Sequence, residues 1–455
     1  MIERITMNTL LLTKYNVPAP RYTSYPTVPY WKDEISVADW EINFQEQFRK
    51  QNKEGISLYI HLPFCESLCT YCGCNKKITT NHNVETRYID AVLKEWDMYL
   101  ELMNEPPLIR EIHLGGGTPT FFSAANLSGL LNGITQKSRV HPQHEFSIEA
   151  HPNFTSREQM EALYSLGFRR ISFGVQDNNA EVQRVINRIQ PFEMVKSATQ
   201  TAREVGFTSV NFDLIYGLPL QTEESIAETI HQTISLKPDR VAFYSYAHVP
   251  WTSRGQRLFN ESDLPDAELK LKLYATGKQI FLNNGYHDIG MDHFSLEGDD
   301  LYHAYKKGDL HRNFMGYVTH QTAMIIGLGV SAISDAGNAF AQNKKALHEY
   351  YMDIEMEELP VKKGYFLDKE DLLFRKYILD IMCKGRTWLH LEDADTLLDY
   401  SFSELKKLQE DGLIKWEGNL VKVTKTGHHF LRNICRAFDI HLLKAGKSKM
   451  YSKAI

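Results

Sequence analysis

Apolar runs rich in β-branched residues alternate with amphipathic stretches of helical periodicity between residues 57 and 285. The runs predict strands over 57–62, 109–114, 145–150, 170–175, 209–215 and 240–246. The stretches between them predict helices over 84–103, 123–135, 157–166, 191–205 and 223–236. Strands that alternate with helices form parallel sheets. Six such units therefore predict an α/β fold built on a partial or complete parallel β/α barrel.

The segments on either side of the barrel follow other patterns. Residues 1–50 predict an N-terminal arm, because the proline-rich stretch 18–29 cannot form a helix or a central strand. After a polar linker near 343–349 the chain turns helical, and a helix over 401–412 followed by two strands over 413–424 predicts a winged helix. We therefore divide the chain into an N-terminal arm (1–50), a barrel with its extension (51–345) and a mostly helical C-terminal domain (346–455).

Four of the six cysteines lie within ten residues, shortly after the first predicted strand and Pro63. Such crowding in a long chain disfavours a disulfide framework and favours a metal site. Cys65, Cys69 and Cys72 can hold three irons of a 4Fe-4S cluster and leave the fourth iron open for chemistry. Two alternatives remain, a cluster closed by Cys74 and a zinc site, although zinc sites usually have a second cysteine pair that this sequence lacks.

Composition narrows the classes of protein further. The 455 residues carry a formal charge of -6, which gives no general basic field for nucleic acid. No apolar run approaches the length of a membrane span. Reduced thiols beside an oxygen-sensitive cluster favour the cytoplasm. We therefore expect a cytoplasmic protein without nucleic-acid partners, and its 23 tyrosines and 23 phenylalanines would suit a large flat ligand.

Polar or glycine-rich features follow every predicted strand. After the cysteines come the glycine-rich stretch 115–120, Glu149, Gln176, Asp213 and Ala247 with His248. β/α barrels carry their chemistry on the loops that follow the strands, so these features gather at one mouth. The glycines at 115–117 let the backbone pass close to a ligand, whereas no Gly-x-Gly-x-x-Gly follows a strand to indicate a dinucleotide fold.

The Cys-x3-Cys-x2-Cys spacing after a strand resembles the cluster motif of radical S-adenosylmethionine (SAM) enzymes. The longer string, with Tyr59, His61, Pro63 and Phe64 before the cysteines and Cys-Gly-Cys-Asn-Lys over 72–76, resembles the oxygen-independent coproporphyrinogen III oxidases. Strings over 21–27, 174–177, 183–188 and 213–219 are similar to that family as well. The resemblance implies a barrel of the radical SAM type that binds a 4Fe-4S cluster and two molecules of SAM.

The resemblance also assigns residues to the cofactors. The stretch 115–120 is similar to the segment that receives the methionyl amino group of SAM. The residues implied for the first SAM are Tyr59, Gly116, Glu149 and Ile333, and those for the second are Gln176, Arg188, Asp213 and Ala247. The other cofactor-binding residues are Tyr71, Gly73, Gly117 and Thr118. The family often has an aspartate where this chain has His151. The resemblance therefore does not assign the side chains that surround Glu149.

The resemblance implies the anaerobic oxidative decarboxylation of two propionates of coproporphyrinogen III to vinyl groups, which gives protoporphyrinogen IX in haem biosynthesis. A radical cut from SAM takes a β-hydrogen of each propionate, and no side chain is assigned a catalytic role beyond the cluster and SAM. The candidate substrate residues are Arg21, Tyr25 and Arg312. The two arginines are candidates because guanidinium groups pair with carboxylates in two parallel hydrogen bonds. We expect a monomer served by an unidentified electron donor and acceptor.

Two rival functions remain open. Haem chaperones on the same scaffold lack the arm over 21–27 and have an aromatic residue at the position of Cys74, so both features disfavour that reading. A metal-sensing DNA-binding protein would use the C-terminal wing. The helix predicted ahead of the wing balances its lysines with acids over 403–410, which disfavours DNA binding.

Overall fold

A twelve-stranded sheet organises the computed structural model, which describes residues 9–390, 396–445 and 451. In chain order its strands are β1 (Ile56–Leu62), β2 (Leu108–Gly116), β3 (Arg139–Ala150), β4 (Phe168–Gln176), β5 (Ser209–Tyr216), β6 (Arg240–Ser245), β7 (Tyr286–Gly290), β8 (His293–Leu296), β9 (Ile325–Leu328), β10 (Ile333–Asp335), β11 (Ala339–Asn343) and β12 (Val361–Phe366). The six strands predicted from the sequence correspond to β1 to β6.

The order of strands across the sheet is β12-β11-β10-β9-β1-β2-β3-β4-β5-β6-β8-β7. Seven neighbours, β9 and β1 to β6, run parallel, and antiparallel strands extend the sheet on both sides. Within the described residues the outermost strands, β12 and β7, do not pair with each other. The sheet is therefore a partial barrel, which is one of the two forms that the sequence predicts.

Helices connect the parallel strands and bury their apolar sides against them in one core. The helices are α1 (Thr9–Tyr15), α2 (Val37–Gln51), α3 (Val84–Leu102), α4 (Ala124–Thr135), α5 (Arg157–Ser165), α6 (Ala180–Val185), α7 (Phe192–Val205), α8 (Glu223–Ser235), α9 (Ala267–Asn283), α10 (Asp300–Lys307), α11 (Leu347–Glu355), α12 (Lys369–Lys384), α13 (Phe402–Glu410), α14 (Leu431–Arg436) and α15 (Ile440–Ala445). Local capping fixes several starts, as where Ser156 and Gln159 form a capping box at α5.

Two parts of the sheet go beyond the sequence prediction. β3 starts at Arg139, whereas the sequence predicts its start near 145. The prediction starts too late because Pro142 interrupts the apolar pattern. β9 pairs in parallel with β1, with Gly327 opposite Tyr59, and its glycine weakens the strand signal. The sheet also continues through β12 to Phe366, past the boundary at 345, and the three-part division stays a prediction.

The C-terminal part forms a second apolar core. After α13, strands Ile414–Glu417 and Leu420–Val423 form a hairpin, and Arg386–Trp388 adds a third strand, as in the predicted winged helix. Tyr22 and Tyr25 of the N-terminal arm are buried in this same core. The arm therefore joins the C-terminal part to the barrel. Within the described ranges, every helix is too short or too polar to cross a membrane.

Candidate active site

The cysteine loop leaves the sheet at the C-terminal end of β1. Phe64–Cys65 pairs in parallel with Lys77–Ile78, and the backbone N–H of Lys77 donates to the carbonyl of Pro63 at 2.8 Å. The two ends of the cysteine loop therefore lie side by side at the C-terminal end of β1. The sheet fixes both ends of the loop that carries the four clustered cysteines.

Two of the predicted ligand sulfurs accept hydrogen bonds from outside this loop. Thr118 Oγ1 donates to Cys65 Sγ at 3.3 Å, and Arg188 Nη1 donates to Cys69 Sγ at 3.7 Å. Burial raises the pKa of the Cys65 thiol to about 11, and the bond from Thr118 acts in the opposite direction. The bond from Thr118 favours the thiolate of Cys65, which is the form that binds iron.

The third predicted ligand, Cys72, has its donor within the loop. The hydrogen bond from the Cys74 thiol, with help from Lys76, lowers the pKa of Cys72 to about 6, although burial opposes this shift. The same bond raises the pKa of Cys74 well above its usual value. This distribution of protons favours Cys72 as the ligand and Cys74 as its hydrogen-bond donor.

The cysteines open onto a cavity of about 180 Å³, called here the cysteine cavity. It is lined by most of the residues predicted from the sequence, namely Cys65, Cys69, Tyr71, Cys72, Gly116, Gly117, Thr118, Glu149, Gln176, Arg188 and Asp213. Apart from the cysteine loop and Arg188, these residues lie at or just after the C-terminal ends of β2 to β5 or within β5, as the barrel rule predicts. Four of the residues predicted to bind the cofactors lie outside this lining.

Two of the four, Tyr59 and Ile333, lie behind the wall of the cysteine cavity. A Cβ added at Gly115 would stand 3.0 Å from the Tyr59 ring and 3.2 Å from the Glu149 carboxyl, so these two side chains meet over that glycine. The backbone of Ile333 packs on Gly327, which lies opposite Tyr59 in the sheet.

The other two, Ala247 and Gly73, adjoin the cysteine loop. Gln256 Nε2 donates to the carbonyl oxygens of Ala247 at 3.1 Å and Tyr71 at 3.0 Å. The segment after β6 is therefore fastened to the loop. Gly73 is exposed between Cys72 and Cys74, and a Cβ there would meet nothing within 4 Å.

The glycine run packs tightly against the end of β1. Gly116 has φ of 119°, and a Cβ there would stand 2.9 Å from the His61 ring. A Cβ at Gly117 would stand 2.6 Å from the carbonyl oxygen of Pro63. No side chain fits at either position. The glycines are thus required by the protein itself, in addition to any approach of the backbone to a ligand.

Arg188 and Gln176 carry signs of a ligand site. Arg188 donates from Nη2 to the carbonyl of Gly174 at 2.5 Å, while its Nε is buried without a partner among the described residues. A buried N–H that lacks an acceptor is costly, so this position suits an anionic group such as the SAM carboxylate. Gln176 has φ of 67°, and strained backbone of this kind concentrates at ligand sites.

A row of hydrogen-bonded side chains, called here the polar row, crosses the barrel interior. His113 Nε2 lies 3.3 Å from Glu149 Oε1, and His113 Nδ1 lies 2.7 Å from Ser147 Oγ. Arg170 Nη2 donates to Ser147 Oγ at 3.0 Å, and its Nη1 lies 2.8 Å from Glu145 Oε1. Because the Glu149 carboxylate can only accept, His113 Nε2 carries the proton that points at it, and Nδ1 of the neutral ring accepts from the Ser147 hydroxyl.

Sequence reasoning missed the middle of the polar row. Glu145, Ser147 and Glu149 alternate along β3, so they point to one face of the strand. That alternation could have indicated a polar face in the barrel interior, since a strand with an apolar interior face would have aliphatic residues at these positions. His113 and Arg170 lie on the neighbouring strands, and only the register between strands brings them to β3.

The two carboxyl groups on the wall of the cysteine cavity differ in their titration. Partial burial opposes ionisation of Glu149, but hydrogen bonds from His113 and the Gly116 N–H lower its pKa. Burial and the nearby Glu149 raise the pKa of Asp213 to about 6, although Ser172 donates to it. Glu149 is therefore the anionic member of the pair.

The candidate substrate arginines converge on Asp292, which sequence reasoning did not single out. Arg21 donates to the carbonyl of Ser245 at 2.7 Å and lies 3.7 Å from Asp292 Oδ2. Despite burial, the hydrogen bond from His293 and the charges of Arg21 and Arg312 hold the pKa of Asp292 far below its usual range. This cluster is called here the arginine site.

Arg312 has unused hydrogen-bonding capacity. Its residue is 5% exposed, and its guanidinium lies over the Tyr317 ring at 4.8 Å. Its Nε and Nη1 are buried without partners among the described residues. Its Nη2 makes no described hydrogen bond either, so either edge of the guanidinium, Nε with Nη2 or Nη1 with Nη2, can present two parallel N–H groups to the oxygens of a carboxylate.

Tyr25 does not join this cluster. Its hydroxyl accepts from the Ile440 N–H at 3.3 Å, and its ring lies 5.8 Å from that of His441. The side chain thus anchors the arm in the C-terminal core, and the predicted substrate contact finds no support in this geometry.

His151 Nδ1 accepts from the Asn153 N–H at 3.2 Å, a turn-capping role that an aspartate also fills.

The donor set of the cysteine cavity fits an iron-sulfur cluster. Within the described ranges, no three histidine, cysteine or acidic side chains converge closely enough to hold a single metal ion. A cubane takes each thiolate at a different iron, so its ligands surround a space and do not meet at a point. The three sulfurs around the cysteine cavity, each with a donor, have that arrangement.

Comparison with known proteins extends these findings. Residues 59–233 match the family model described as the radical SAM superfamily. The oxygen-independent coproporphyrinogen III oxidases of Synechocystis and Escherichia coli are 37% and 36% identical to this chain, over 98% and 100% of it and 97% and 100% of their own lengths. The solved structure of the Escherichia coli enzyme superposes with a TM-score of 0.90 at 35% identity, covering 97% of this chain and 100% of that one.

The partial barrel and its cysteine loop define a radical SAM protein that takes a 4Fe-4S cluster and SAM. Within that class, the similarity extends over almost the whole of both chains at more than a third of positions. The chain belongs to the family of oxygen-independent coproporphyrinogen III oxidases.

Proposed function

We propose that this chain catalyses the oxygen-independent oxidative decarboxylation of coproporphyrinogen III and gives protoporphyrinogen IX. Each of two propionates loses a β-hydrogen, CO2 and one electron and becomes a vinyl group. The observation that carries the proposal is the buried Arg312 guanidinium, which keeps two N–H groups free for a carboxylate in a chain of this family.

Cys65, Cys69 and Cys72 would hold the cluster, and the other residues of the cysteine cavity would hold SAM. Together the bound groups supply the 5′-deoxyadenosyl radical that removes hydrogen from the substrate. Glu149 and Arg188 would orient the cofactor through the anionic carboxylate of Glu149 and the unpartnered Nε–H of Arg188. We keep the proposed division of the residues between two SAM molecules, one for each decarboxylation.

An inner cavity of about 90 Å³ supports a path between cofactor and substrate. Glu149 and Asp213 line both this cavity and the cysteine cavity. At its other side the inner cavity is lined by Tyr244, which lies under Arg21, and by Tyr317, which lies under Arg312. A propionate paired with these arginines would therefore lie toward the cofactor. We further propose a cytoplasmic monomer that takes the electrons for SAM cleavage from a separate donor and passes the electron released by the substrate to a separate acceptor.

The test is an anaerobic assay of the chain reconstituted with iron and sulfide. With SAM, a one-electron reductant, an electron acceptor and coproporphyrinogen III, we expect methionine, 5′-deoxyadenosine and protoporphyrinogen to form together. The Cys65→Ala variant should form none of them. A haem chaperone would convert no coproporphyrinogen while still holding a cluster, and that result from the intact chain would overturn the proposal.

A further inference from the structure

A third and larger cavity of about 1250 Å³, called here the basal cavity, lies at the end of the barrel opposite to the cysteine loop. Its lining includes Arg170 near the start of β4, Ser209 at the start of β5 and Arg240 at the start of β6. Its other wall includes residues of α10 and α12. The cysteines follow the C-terminal end of β1, so the proposed function makes no use of this cavity.

The lining of the basal cavity is basic although the whole chain has a formal charge of -6. It contains eight arginines and lysines against five aspartates and glutamates. Three of these acids are already paired, Glu145 with Arg170, Asp335 with Arg375, and Asp380 with both Lys376 and Lys384. Arg110 and Lys307 have no acidic partner among the described residues. An excess of positive charge therefore faces the cavity.

Two side chains in one corner of the basal cavity also have unused polar atoms. Arg110 makes no described hydrogen bond or ion pair, and its Nε is buried without a partner. His320 Nδ1 lies 3.0 Å from Thr319 Oγ1, while its Nε2 is buried and unpaired. Burial lowers the pKa of His320, and the charges of Arg110 and Arg170 act in the same direction against that of Glu145. All three residues line the basal cavity, and both arginines are near enough for their charges to act on His320.

We propose that the basal cavity binds a multiply charged oxyanion at the corner formed by Arg110, Arg170 and His320. A guanidinium group presents N–H donors in a planar fork that matches carboxylate and phosphate oxygens. Thr319 Oγ1 donates to Glu145, so a neutral His320 donates from Nδ1 to Thr319, and its Nε2 can accept from a protonated oxygen of the ligand. Phosphate groups and polycarboxylates share this chemistry. The size of the cavity admits an organic molecule that carries such a group.

The experiment is calorimetric titration of the anaerobically purified, cluster-loaded full-length chain at low ionic strength. Sodium phosphate is the probe in one arm and citrate in the other, each with and without saturating SAM. We expect saturable binding of at least one probe that SAM does not displace. Binding of phosphate alone identifies a phosphate-type ligand, and binding of citrate alone identifies a polycarboxylate.

Variants test the assigned corner. Arg110→Gln should weaken binding by about tenfold or more, since it removes a donor to a charged group. His320→Gln should weaken the binding of phosphate to a lesser extent, since Nε2 accepts from the protonated oxygen of hydrogen phosphate. Arg139→Gln is the matched control, because Arg139 starts β3 at the same end of the barrel and does not line the basal cavity. Thermal unfolding midpoints check that each variant is folded. The proposal fails if neither probe binds saturably, if SAM displaces the probe, or if both folded variants bind like the control.

Discussion

His113 Nε2 lies 3.3 Å from Glu149 Oε1, and this contact joins the cysteine cavity to the polar row. Glu149 also accepts from the Gly116 N–H at 3.2 Å, so one donor reaches each carboxylate oxygen. Both donors are fixed by the sheet, since His113 and Gly116 lie on β2. The Glu149 carboxylate, which we propose binds SAM, is therefore oriented in the absence of a ligand. Preorganised binding requires this arrangement.

Replacing His113 with leucine should weaken SAM binding. A hydrogen bond to a charged group contributes roughly 1.5–3 kcal/mol, so we expect about a ten- to hundredfold loss of affinity. Calorimetric titration of the cluster-loaded protein with SAM measures it. Ser147→Ala should have a smaller effect, because it frees the His113 tautomer and leaves the ring in place. His231→Leu, on the exposed side of α8, is the control. Equal affinities for all these proteins would show that His113 does not position Glu149.

Arg312 should govern the affinity for coproporphyrinogen. Lysine keeps the charge at this position but cannot form two parallel hydrogen bonds, and glutamine loses the charge as well. We expect KM to rise by about tenfold in Arg312→Lys and further in Arg312→Gln, since each step removes part of a charged hydrogen-bonded pair. Anaerobic steady-state kinetics measure this order. SAM affinity, measured separately, should stay unchanged, as should KM in Arg254→Gln, which changes an exposed arginine.

Much of the fold was predictable because the strands β1 to β6 are apolar runs separated by helical stretches. The cysteine cavity was also predictable, from the spacing of the cysteines and from the polar residues that follow the strands. All parallel strands end at one mouth of the barrel, so the residues after them gather there. Gly73, Tyr59, Ala247 and Ile333 adjoin that cavity without lining it. Spacing along one chain cannot separate a residue in a wall from one behind it.

The arginine site was only half visible from the sequence. Arg21 and Arg312 are nearly 300 residues apart, and their common neighbour Asp292 lies between β7 and β8. No local pattern marks such a meeting point. Tyr25 shows the opposite problem, because its segment resembles the family while its side chain is used to anchor the arm.

Replacing Cys74 should leave the cluster in place. The thiol of Cys74 donates to Cys72 and has a raised pKa, so it is not prepared as a fourth ligand. We expect Cys74→Ser and Cys74→Ala to retain iron and sulfide near the level of the unmodified chain, and Cys72→Ser to lose most of both. Cys383→Ser controls for the loss of a thiol far from the loop. A Cys74→Ala protein as depleted as Cys72→Ser would instead indicate a cluster with four thiolate ligands.

Two glycines beside the cluster should respond differently to the same change. An alanine at position 117 would place its Cβ 2.6 Å from the Pro63 carbonyl oxygen, and backbone cannot yield cheaply there. An alanine at position 73 would meet nothing within 4 Å. Gly117→Ala should therefore lower both cluster content and SAM cleavage, while Gly73→Ala should keep them. Iron analysis and anaerobic assay of 5′-deoxyadenosine compare the two. Equal cluster content in both would show that the end of β1 tolerates the displacement.

Glu95 on α3 should make the stability of the chain depend on pH. It is buried and accepts from the Gly329 N–H, Asn343 Nδ2 and the Tyr350 hydroxyl, each at 2.7 Å. Burial raises its pKa to about 7 despite these bonds. The folded state therefore binds more protons than the unfolded state between the ordinary value of 4.5 and about 7, so stability falls as pH rises through that window.

The Glu95→Gln variant isolates this contribution, because glutamine keeps an acceptor oxygen and does not titrate. The shift corresponds to roughly 3 kcal/mol across the window, so the difference in unfolding free energy between the variant and the unmodified chain should change by up to about that amount between pH 5 and pH 8, in favour of the variant at pH 8. Urea unfolding of the cluster-free chain at both pH values measures it. Glu101→Gln, an exposed change on the same helix, should follow the unmodified chain. If the Glu95→Gln profile also runs parallel to that of the unmodified chain, Glu95 ionises in the folded state as it does in the unfolded one.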